Sequence, residues 1–197
     1  MVLNCFMLQA RAQEGFTNKA EAKNELKDGA KEGKWIEYTG GGTSTLKSDS
    51  EGASTYVLTV YKAGKPFGLV REYNISGELY SETPYTNGKI NGVVKTYHES
   101  GAHLETSYKD GLQNGMEKLY DESGKLSSET PYKDGNKNGV GKTYYESGKL
   151  ESETPFTKGL PNGVEKTYYE TGKLKSETTF TNGAEGITKN YDENGIK

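Results

Sequence analysis

The sequence predicts an all-β protein: an elongated repeat array of antiparallel β-hairpins that forms a single twisted, meandering sheet. Three observations support this prediction. A unit of 23 or 24 residues recurs along the chain,. Each unit holds short segments rich in Thr and aromatic residues, as strands are. Ser-Gly, Asn-Gly and Asp-Gly pairs separate these segments, as turns do.

Each unit begins at a glycine, and successive steps are 24, 23, 24, 24 and 23 residues. A tyrosine stands five residues after each of these starts and a second glycine nine residues after. An earlier unit begins at Gly33, so the array is predicted to cover residues 26–197. The starts are Gly33, Gly68, Gly92, Gly115, Gly139, Gly163 and Gly186.

The N-terminal residues 1–13 join a short apolar run to Ala10-Arg11-Ala12 and Gln13. The small residues Ala10 and Ala12 are typical of a signal peptidase cleavage site, although the positively charged n-region of a signal peptide is missing,. The segment is therefore interpreted either as the remnant of a secretory signal or as a short helix. The first interpretation predicts an exported protein, periplasmic or secreted, and the second a cytoplasmic one. Residues 14–25 are predicted to be a linker or a weakly formed helix.

An 11-residue insertion separates Tyr38 from Tyr61 when their spacing is compared with that of Tyr73 and Tyr85. The insertion spans about residues 40–55, and its run from Gly40 to Thr45 is predicted to be a flexible hairpin tip,.

The composition excludes several classes of protein. Leu, Ile, Val and Phe make up only 32 of 197 residues, but the net charge is only -3 and there are 15 tyrosines, so the pattern is not that of a disordered chain,. Tyrosine rings must supply much of the buried surface. Balanced charge creates no field that favours nucleic acid or an anionic membrane. The single cysteine excludes an intrachain disulfide and a cysteine zinc site,.

Turn chemistry sets the predicted strand register. A three-residue loop over residues 146–148, a type I turn closed by a left-handed glycine, places Tyr144 opposite Leu150. In this register one face carries Val140, Tyr144, Leu150 and Phe156, and the other carries Thr143, Glu151, Glu153 and Pro155. The third unit, from Gly92, departs by one residue, with GAHLETSY where the second unit has GELYSETPY, and is predicted to hold a bulge or a shortened strand near His103,.

A stripe of tyrosines and basic residues is the candidate partner-binding surface. Its tyrosines occupy the sixth place of each unit and its basic residues the fourth. The stripe is either core, with lysine stems over tyrosine rings, or an open surface for a partner, because a single-layer sheet buries neither face by itself. The candidate residues are Arg71, Tyr73, Lys95, Tyr97, Lys118, Tyr120, Lys142, Tyr144, Lys166 and Tyr168.

Three constellations imitate sites of chemistry. Residues 135–143 resemble a phosphate-binding loop, but the first glycine is out of register and no helix is predicted to follow. Residues 134–139 match half of an EF-hand loop, and the place of its closing glutamate is Tyr145,. His98 and His103 stand in one unit alone, without an evident nucleophile or acid,. We therefore predict no enzyme activity, no cofactor and no metal site.

The units resemble MORN repeats, and specifically the MORN repeat variant proteins common in bacteria. The resemblance is carried by G-x-x-x-x-Y-x-x-x-G and a terminal Y/F-x-x-G, and it covers residues 26–197. It implies hairpins stacked into a scaffold sheet. It also implies two narrower roles, since many bacterial members are labelled antitoxins and some eukaryotic members are linked to lipid headgroups.

The function predicted from these observations is a non-catalytic scaffold that binds another protein through the Tyr/Lys-lined face or a sheet edge. The alternatives are an antitoxin or immunity protein that neutralises one cognate toxin, and, less favoured, a binder of membrane lipid headgroups. Nucleic acid is not expected as a partner, because the glutamates of each unit offset the basic residues.

Overall fold

The computed structural model describes residues 18–40, 43–47 and 52–194, and for 43–47 it describes the backbone alone. The predicted signal remnant or helix over residues 1–13 lies outside the described residues. Among the described residues there is one short 3-10 helix, Lys19–Glu21, no α-helix, and eighteen strands. The all-β prediction is confirmed, with antiparallel hairpins throughout. No helix in the described part of the chain is long and apolar enough to span a membrane.

The strands are β1 (Glu25–Lys27), β2 (Ala30–Gly40), β3 (Thr43–Lys47), β4 (Thr55–Lys62), β5 (Lys65–Asn74), β6 (Leu79–Thr86), β7 (Lys89–Ile90), β8 (Gly92–Tyr97), β9 (His103–Lys109), β10 (Leu112–Tyr120), β11 (Leu126–Lys133), β12 (Asn136–Lys137), β13 (Gly139–Tyr144), β14 (Leu150–Thr157), β15 (Leu160–Pro161), β16 (Gly163–Tyr168), β17 (Leu174–Thr181) and β18 (Ala184–Asn190).

The chain divides into two compact units. The first contains the described residues up to Tyr97 together with Lys109–Gly111, and the second contains His98–Tyr108 and the residues from Leu112 onward. In the first unit β2, β4, β5 and β6 pair in succession, and in the second β10, β11, β13, β14, β16, β17 and β18 do so. The two-residue strands β7, β12 and β15 lie just after tight turns.

Two-residue turns close one set of hairpins. At Asp134-Gly135 both residues have positive φ, 50 and 83 degrees, and Lys133 pairs with Asn136. Two central residues with φ above zero define a type I′ turn, whose twist matches that of the strands it joins. Asn-Gly or Asp-Gly pairs form several of these turns, as at Asn87-Gly88 and Asn182-Gly183.

Three-residue loops close the other set, as predicted. Gly148 lies at φ 82 degrees and its N–H donates to the Tyr145 carbonyl at 2.7 Å, while the Tyr145 N–H donates to the Lys149 carbonyl at 2.9 Å. This is a type I turn closed by a left-handed glycine. Tyr144 pairs with Leu150, which confirms the predicted pairing at the loop.

The predicted assignment of side chains to faces is wrong for β14. Thr143 pairs with Ser152 but Tyr144 pairs with Leu150, so Glu151 is an extra, bulged residue. Because a shift of one residue turns each side chain to the other face, the bulge reverses β14 beyond it. Glu153 and Pro155 therefore share the face of Lys142 and Val140, their pairing partners. Phe156 lies on the opposite face, with Thr143.

We call these two surfaces the lysine face, defined by Val140, Lys142, Tyr144, Glu153 and Pro155, and the threonine face, defined by Thr143, Ser152, Thr154 and Phe156. Equivalent positions of the other repeats carry the same names. The same bulge recurs next to Tyr73, Tyr120 and Tyr168.

Three unit-starting glycines, Gly92, Gly139 and Gly163, each lie against a proline of the preceding repeat. Gly139 has φ 118 degrees, and a Cβ at this position would lie 2.8 Å from Cγ of Pro131. The missing N–H of Pro131 falls where the ladder is interrupted, and its carbonyl accepts a hydrogen bond from the Asn138 N–H at 2.9 Å,. The third unit has the shortened strand that was one of its two predicted forms: β9 has seven residues where β6, β11, β14 and β17 have eight.

The buried apolar core lies in the first unit. Tyr56 and Leu58 are 4% and 2% exposed, and Ala22, Ile36 and Val60 pack around them. In the predicted linker, residues 19–21 form a 3-10 turn and Ala22 reaches this core. The insertion forms a hairpin, because β3 pairs with the end of β2; residues 41–42 and 48–51 lie outside the described part.

Candidate functional site

A column of alternating charges runs across the lysine face of the second unit. Glu129 pairs with Lys118 on one side and Lys142 on the other, Glu153 pairs with Lys142 and Lys166, and Glu177 pairs with Lys166 and Lys189. Lys142 Nζ lies 4.0 Å from Glu153 Oε1. Opposite charges directly across a ladder stabilise a sheet, by about 0.2–1 kcal/mol for each pair. The glutamates were predicted to lie on the other face, and the bulges place them here instead.

Tyrosine hydroxyls tie each repeat to the one before it. Tyr144 donates to Glu129 at 2.8 Å, Tyr168 donates to Glu153 at 3.1 Å, and Tyr191 donates to Glu177 at 2.9 Å. Each acceptor lies on the lysine face. Burial, followed by the hydrogen bond to Glu129, raises the pKa of Tyr144 to about 12. The pKa of Tyr168 is raised for the same reasons, with Glu153 as its acceptor. These tyrosines therefore stay protonated and act as donors.

In two repeats, the tyrosine that follows the first one in sequence also links its repeat to the next. Tyr145 Oη donates to the backbone carbonyl of Tyr168 at 2.6 Å, and Tyr169 Oη donates to that of Tyr191 at 2.8 Å. At the loops, Lys125 Nζ donates to the carbonyl of Glu146 at 2.9 Å and Lys149 Nζ to that of Glu170 at 2.8 Å. Bonds from one repeat to the next thus take the place that a shared core holds in compact domains.

A row of apolar side chains stands beside the charge column. Val140 is 44% exposed and Val164 42% exposed, and each pairs with residues of the next strand on the lysine face, Pro155 and Thr179. Among the described residues of the second unit, no apolar side chain is buried. Its lysine face is therefore a half-exposed surface of Val, Pro, Tyr and Leu around a balanced line of charge.

All ten predicted site residues are half-buried. In the first unit, Arg71 Nε lies 2.8 Å from Glu82 Oε1, Tyr97 donates to the same carboxylate at 3.4 Å, and Glu82 also pairs with Lys95. Tyr73 packs against the core and stacks on Tyr56, with ring centroids 5.0 Å apart. This member of the stripe is thus core, as the more conservative interpretation predicted.

In the second unit, Lys118, Lys142 and Lys166 belong to the charge column, and Tyr144 and Tyr168 to the links between repeats. Tyr120 stacks on His103, with centroids 4.3 Å apart and the rings 6 degrees from parallel. These side chains pack and pair with neighbouring repeats, yet they remain half-exposed.

Sequence reasoning placed Val140 on the face of Tyr144 but left the valines out of the candidate site, and it placed Glu153 on the other face. The signal was present, because a valine or another apolar residue follows nearly every unit-starting glycine and a Ser-Glu-Thr triplet recurs in the second strand. The bulged residue in each hairpin is not apparent in the sequence, and it is this bulge that puts the glutamate of the triplet on the same face as the lysine of the unit, as for Glu153 and Lys142.

The threonine face is held by hydroxyl pairs. Thr143 Oγ1 and Ser152 Oγ lie 2.8 Å apart, and Thr167 Oγ1 and Ser176 Oγ lie 2.7 Å apart. A groove on this face is lined in part by Tyr145, Glu165 and Lys175. No group of three or more His, Cys, Asp or Glu residues that could hold a metal ion occurs among the described residues.

The repeats of the second unit recur at 24 residues, and each has a three-residue loop and places a lysine and a tyrosine on a common face. These repeats match the MORN repeat variant. The matched segments are residues 113–134, 137–158 and 161–182, three tandem repeats of the second unit. A search of curated proteins found no match to the chain.

Each matched segment contains one lysine, one tyrosine and one glutamate of the lysine face. In residues 137–158 these are Lys142, Tyr144 and Glu153. MORN repeats are generally non-enzymatic scaffolds for interaction with proteins or membrane lipids. Three segments of the second unit are thus similar to MORN repeats in sequence, and their hairpins are consistent with a MORN repeat array.

Proposed function

We propose that the MORN-like repeats of this chain form a non-catalytic scaffold that binds a partner protein through the lysine face. The observation that carries the proposal is the combination of exposed Val140 and Val164 with a regular charge column in a unit without a buried apolar side chain among its described residues. Exposed apolar surface rimmed by polar groups is typical of interaction sites.

The charge balance favours a protein over a polyanion. Lys118, Lys142, Lys166 and Lys189 alternate with three glutamates, so the column carries almost no net charge. A nucleic acid or an anionic bilayer is attracted by a cluster of uncompensated basic residues. A protein surface can instead match alternating charges one by one, which favours specificity more than affinity.

Site-resolved photocrosslinking tests this proposal. The two faces offer matched positions: Val140 on the lysine face is 44% exposed, and Leu119, which pairs with Ser128 on the threonine face, is 41% exposed. A benzophenone amino acid replaces each in turn, and the chain is irradiated in the cells that naturally produce it. We expect a product of discrete mass from position 140 and none from position 119.

Product from position 119 alone would place binding on the threonine face and contradict the proposal. Product from neither position would also contradict it. An antitoxin is a special case of the same proposal, in which the crosslinked partner stops growth when produced alone and this chain restores growth.

The lipid alternative is tested with vesicles. We expect the purified chain to remain unbound in flotation with neutral and with anionic vesicles, since the column offers no excess positive charge. Flotation with anionic vesicles that is lost at high salt would support the lipid alternative and weaken the proposal.

A further inference from the structure

The first unit has a covered sheet edge. β1 and β3 pair with the two ends of the outer side of β2, and Asn24 fills the gap between them. Asn24 Oδ1 accepts from the Ile36 N–H at 2.9 Å, and Asn24 Nδ2 donates to the Ile36 carbonyl at 3.1 Å. The N–H groups of Lys23 and Asn24 both donate to the Lys34 carbonyl. The Asn24 side-chain amide therefore satisfies the outward-facing N–H and carbonyl of Ile36, as a neighbouring strand would,.

The second unit has an edge of the opposite kind. β18 pairs with β17 on one side, and no described residue of its unit pairs with its other side. All seven residues of β18 are exposed, and Ile187 is 72% exposed. An edge of this kind presents unpaired N–H and C=O groups to a further strand.

We propose that β18 is a docking strand for an extended segment of a partner protein that carries a glutamate or aspartate opposite Lys189. The charge column supplies the argument. Lys142 and Lys166 each lie between two glutamates, whereas Lys189 pairs with Glu177 on its inner side and is the last member of the column among the described residues. An acidic residue on the added strand continues the alternation by one step.

The neighbouring residues define the segment further. In the closed hairpin of β13 and β14, Lys142 pairs with Glu153, Gly141 with Thr154 and Thr143 with Ser152. The same Ser-Glu-Thr triplet recurs in β11 and β17. A segment with a hydroxyl residue on each side of its acid therefore fits Thr188, Lys189 and Asn190.

A second copy of β18 fits less well. Pairing two β18 strands antiparallel about Ile187 sets Lys189 opposite Glu185. Glu185 pairs with Phe180 and so belongs to the threonine face, whereas Lys189 pairs with Glu177 on the lysine face. Residues directly opposite each other in a ladder share a face, so this charge pair cannot form in register. Lys189 also belongs to the charge column of the proposed function, but docking at β18 uses the outer backbone groups of the strand, whereas the proposed function uses the exposed side chains around Val140 and Val164. Either proposal can therefore fail alone.

A charge-swap experiment tests the proposal. The probe is a fluorescein-labelled, end-capped peptide with the sequence of residues 173–181, KLKSETTFT, titrated with the full chain and read by fluorescence anisotropy. We expect saturable binding that Lys189→Glu weakens about fivefold or more, because a like charge then lies directly opposite the peptide's acid. Lys189→Gln should have an intermediate effect. A peptide with lysine in place of its glutamate should bind the wild type weakly and Lys189→Glu well.

Lys133→Glu is the matched control, since Lys133 is exposed and lies at the far end of β11. It should leave peptide binding unchanged, and circular dichroism should show that each variant keeps its strands. Three results would overturn the proposal: no saturable binding, equal binding by the wild type and Lys189→Glu, or failure of the swapped pair to recover. A concentration-dependent dimer of the chain that Lys189→Glu disrupts would assign the edge to a second copy instead.

Discussion

The hydroxyl of Tyr144 and the carboxylate of Glu129 form a contact by which one repeat holds the next. The hydrogen bond is 2.8 Å long and charge-assisted, in a half-buried setting,. We expect Tyr144→Phe to lower the free energy of unfolding by about 1–2 kcal/mol at pH 7, measured by urea titration. Combined with Glu129→Gln, the double mutant should lose less than the sum of the single losses, because both changes remove one interaction.

The same pair has a predictable pH dependence. The pKa of Tyr144 is raised from 10.0 to about 12, so the folded state holds the phenolic proton more tightly than the unfolded state. Its contribution to stability is complete below pH 10 and is lost as the pH rises toward 12,. The stability difference between wild type and Tyr144→Phe should therefore be constant from pH 7 to 9 and shrink above pH 10. A difference that grows with alkaline pH would contradict this assignment.

Gly139 is the residue at which backbone conformation and packing both require glycine. With φ at 118 degrees and Pro131 Cγ 2.8 Å from the position of a Cβ, Gly139→Ala should destabilise by about 2–4 kcal/mol, since backbone strain and a clash add,. Gly148→Ala is the control, because φ is 82 degrees there and nothing lies within 4 Å. It should cost only about 1–2 kcal/mol. Equal losses for the two variants would show that Pro131 does not constrain the site.

At the scale of the strand, the charge column makes the lysines sensitive to reversal. Lys142 lies between Glu129 and Glu153, so Lys142→Glu sets three acids side by side. We expect this variant to lose about 1–2 kcal/mol in urea titrations, and the loss to shrink in high salt. Lys133→Glu, at an exposed strand end, should change stability by less than about 0.5 kcal/mol,. Similar values for the two variants would mean that the column contributes nothing to the sheet.

Sequence reasoning predicted the strands and the loops because their chemistry is local. Asp134-Gly135 can form a type I′ turn and Gly148 can close a type I turn whatever the rest of the chain does,. The faces of the strands could not be predicted, because they depend on one bulged residue in each hairpin. Glu151 is chemically ordinary, and only the pairing of both Thr143 and Tyr144 shows that it is the bulged residue.

The candidate site was predicted in the same uneven way. The repeated tyrosines and lysines were found from their spacing. Tyr73 packs against the core, whereas Lys142 and Tyr144 are half-exposed, and partner binding at these residues stays a prediction. The capping role of Asn24 could not be predicted, because it depends on contact with Ile36 across 12 residues of sequence.

At the scale of the molecule, the two units are stabilised differently. The first has buried Tyr56 and Leu58, whereas the described residues of the second bury no apolar side chain and rely on bonds between successive repeats. In arrays of this kind, stability is approximately the sum of the repeats and their nearest-neighbour contacts. Both faces of the second unit therefore keep exposed apolar side chains, such as Val140 and Leu119, and the exposed part of the lysine face is the basis of the proposed function.

The most direct test is thiol labelling of single cysteines in a Cys5→Ser background, under native conditions. Val140→Cys reports on the lysine face, Leu119→Cys on the threonine face, and Thr59→Cys, at a position 3% exposed in the first unit, is the buried reference. We predict that positions 140 and 119 react without unfolding, at rates within about tenfold of the urea-unfolded chain, whereas position 59 reacts only through opening. Protection of position 140 comparable to that of position 59 would contradict an open lysine face.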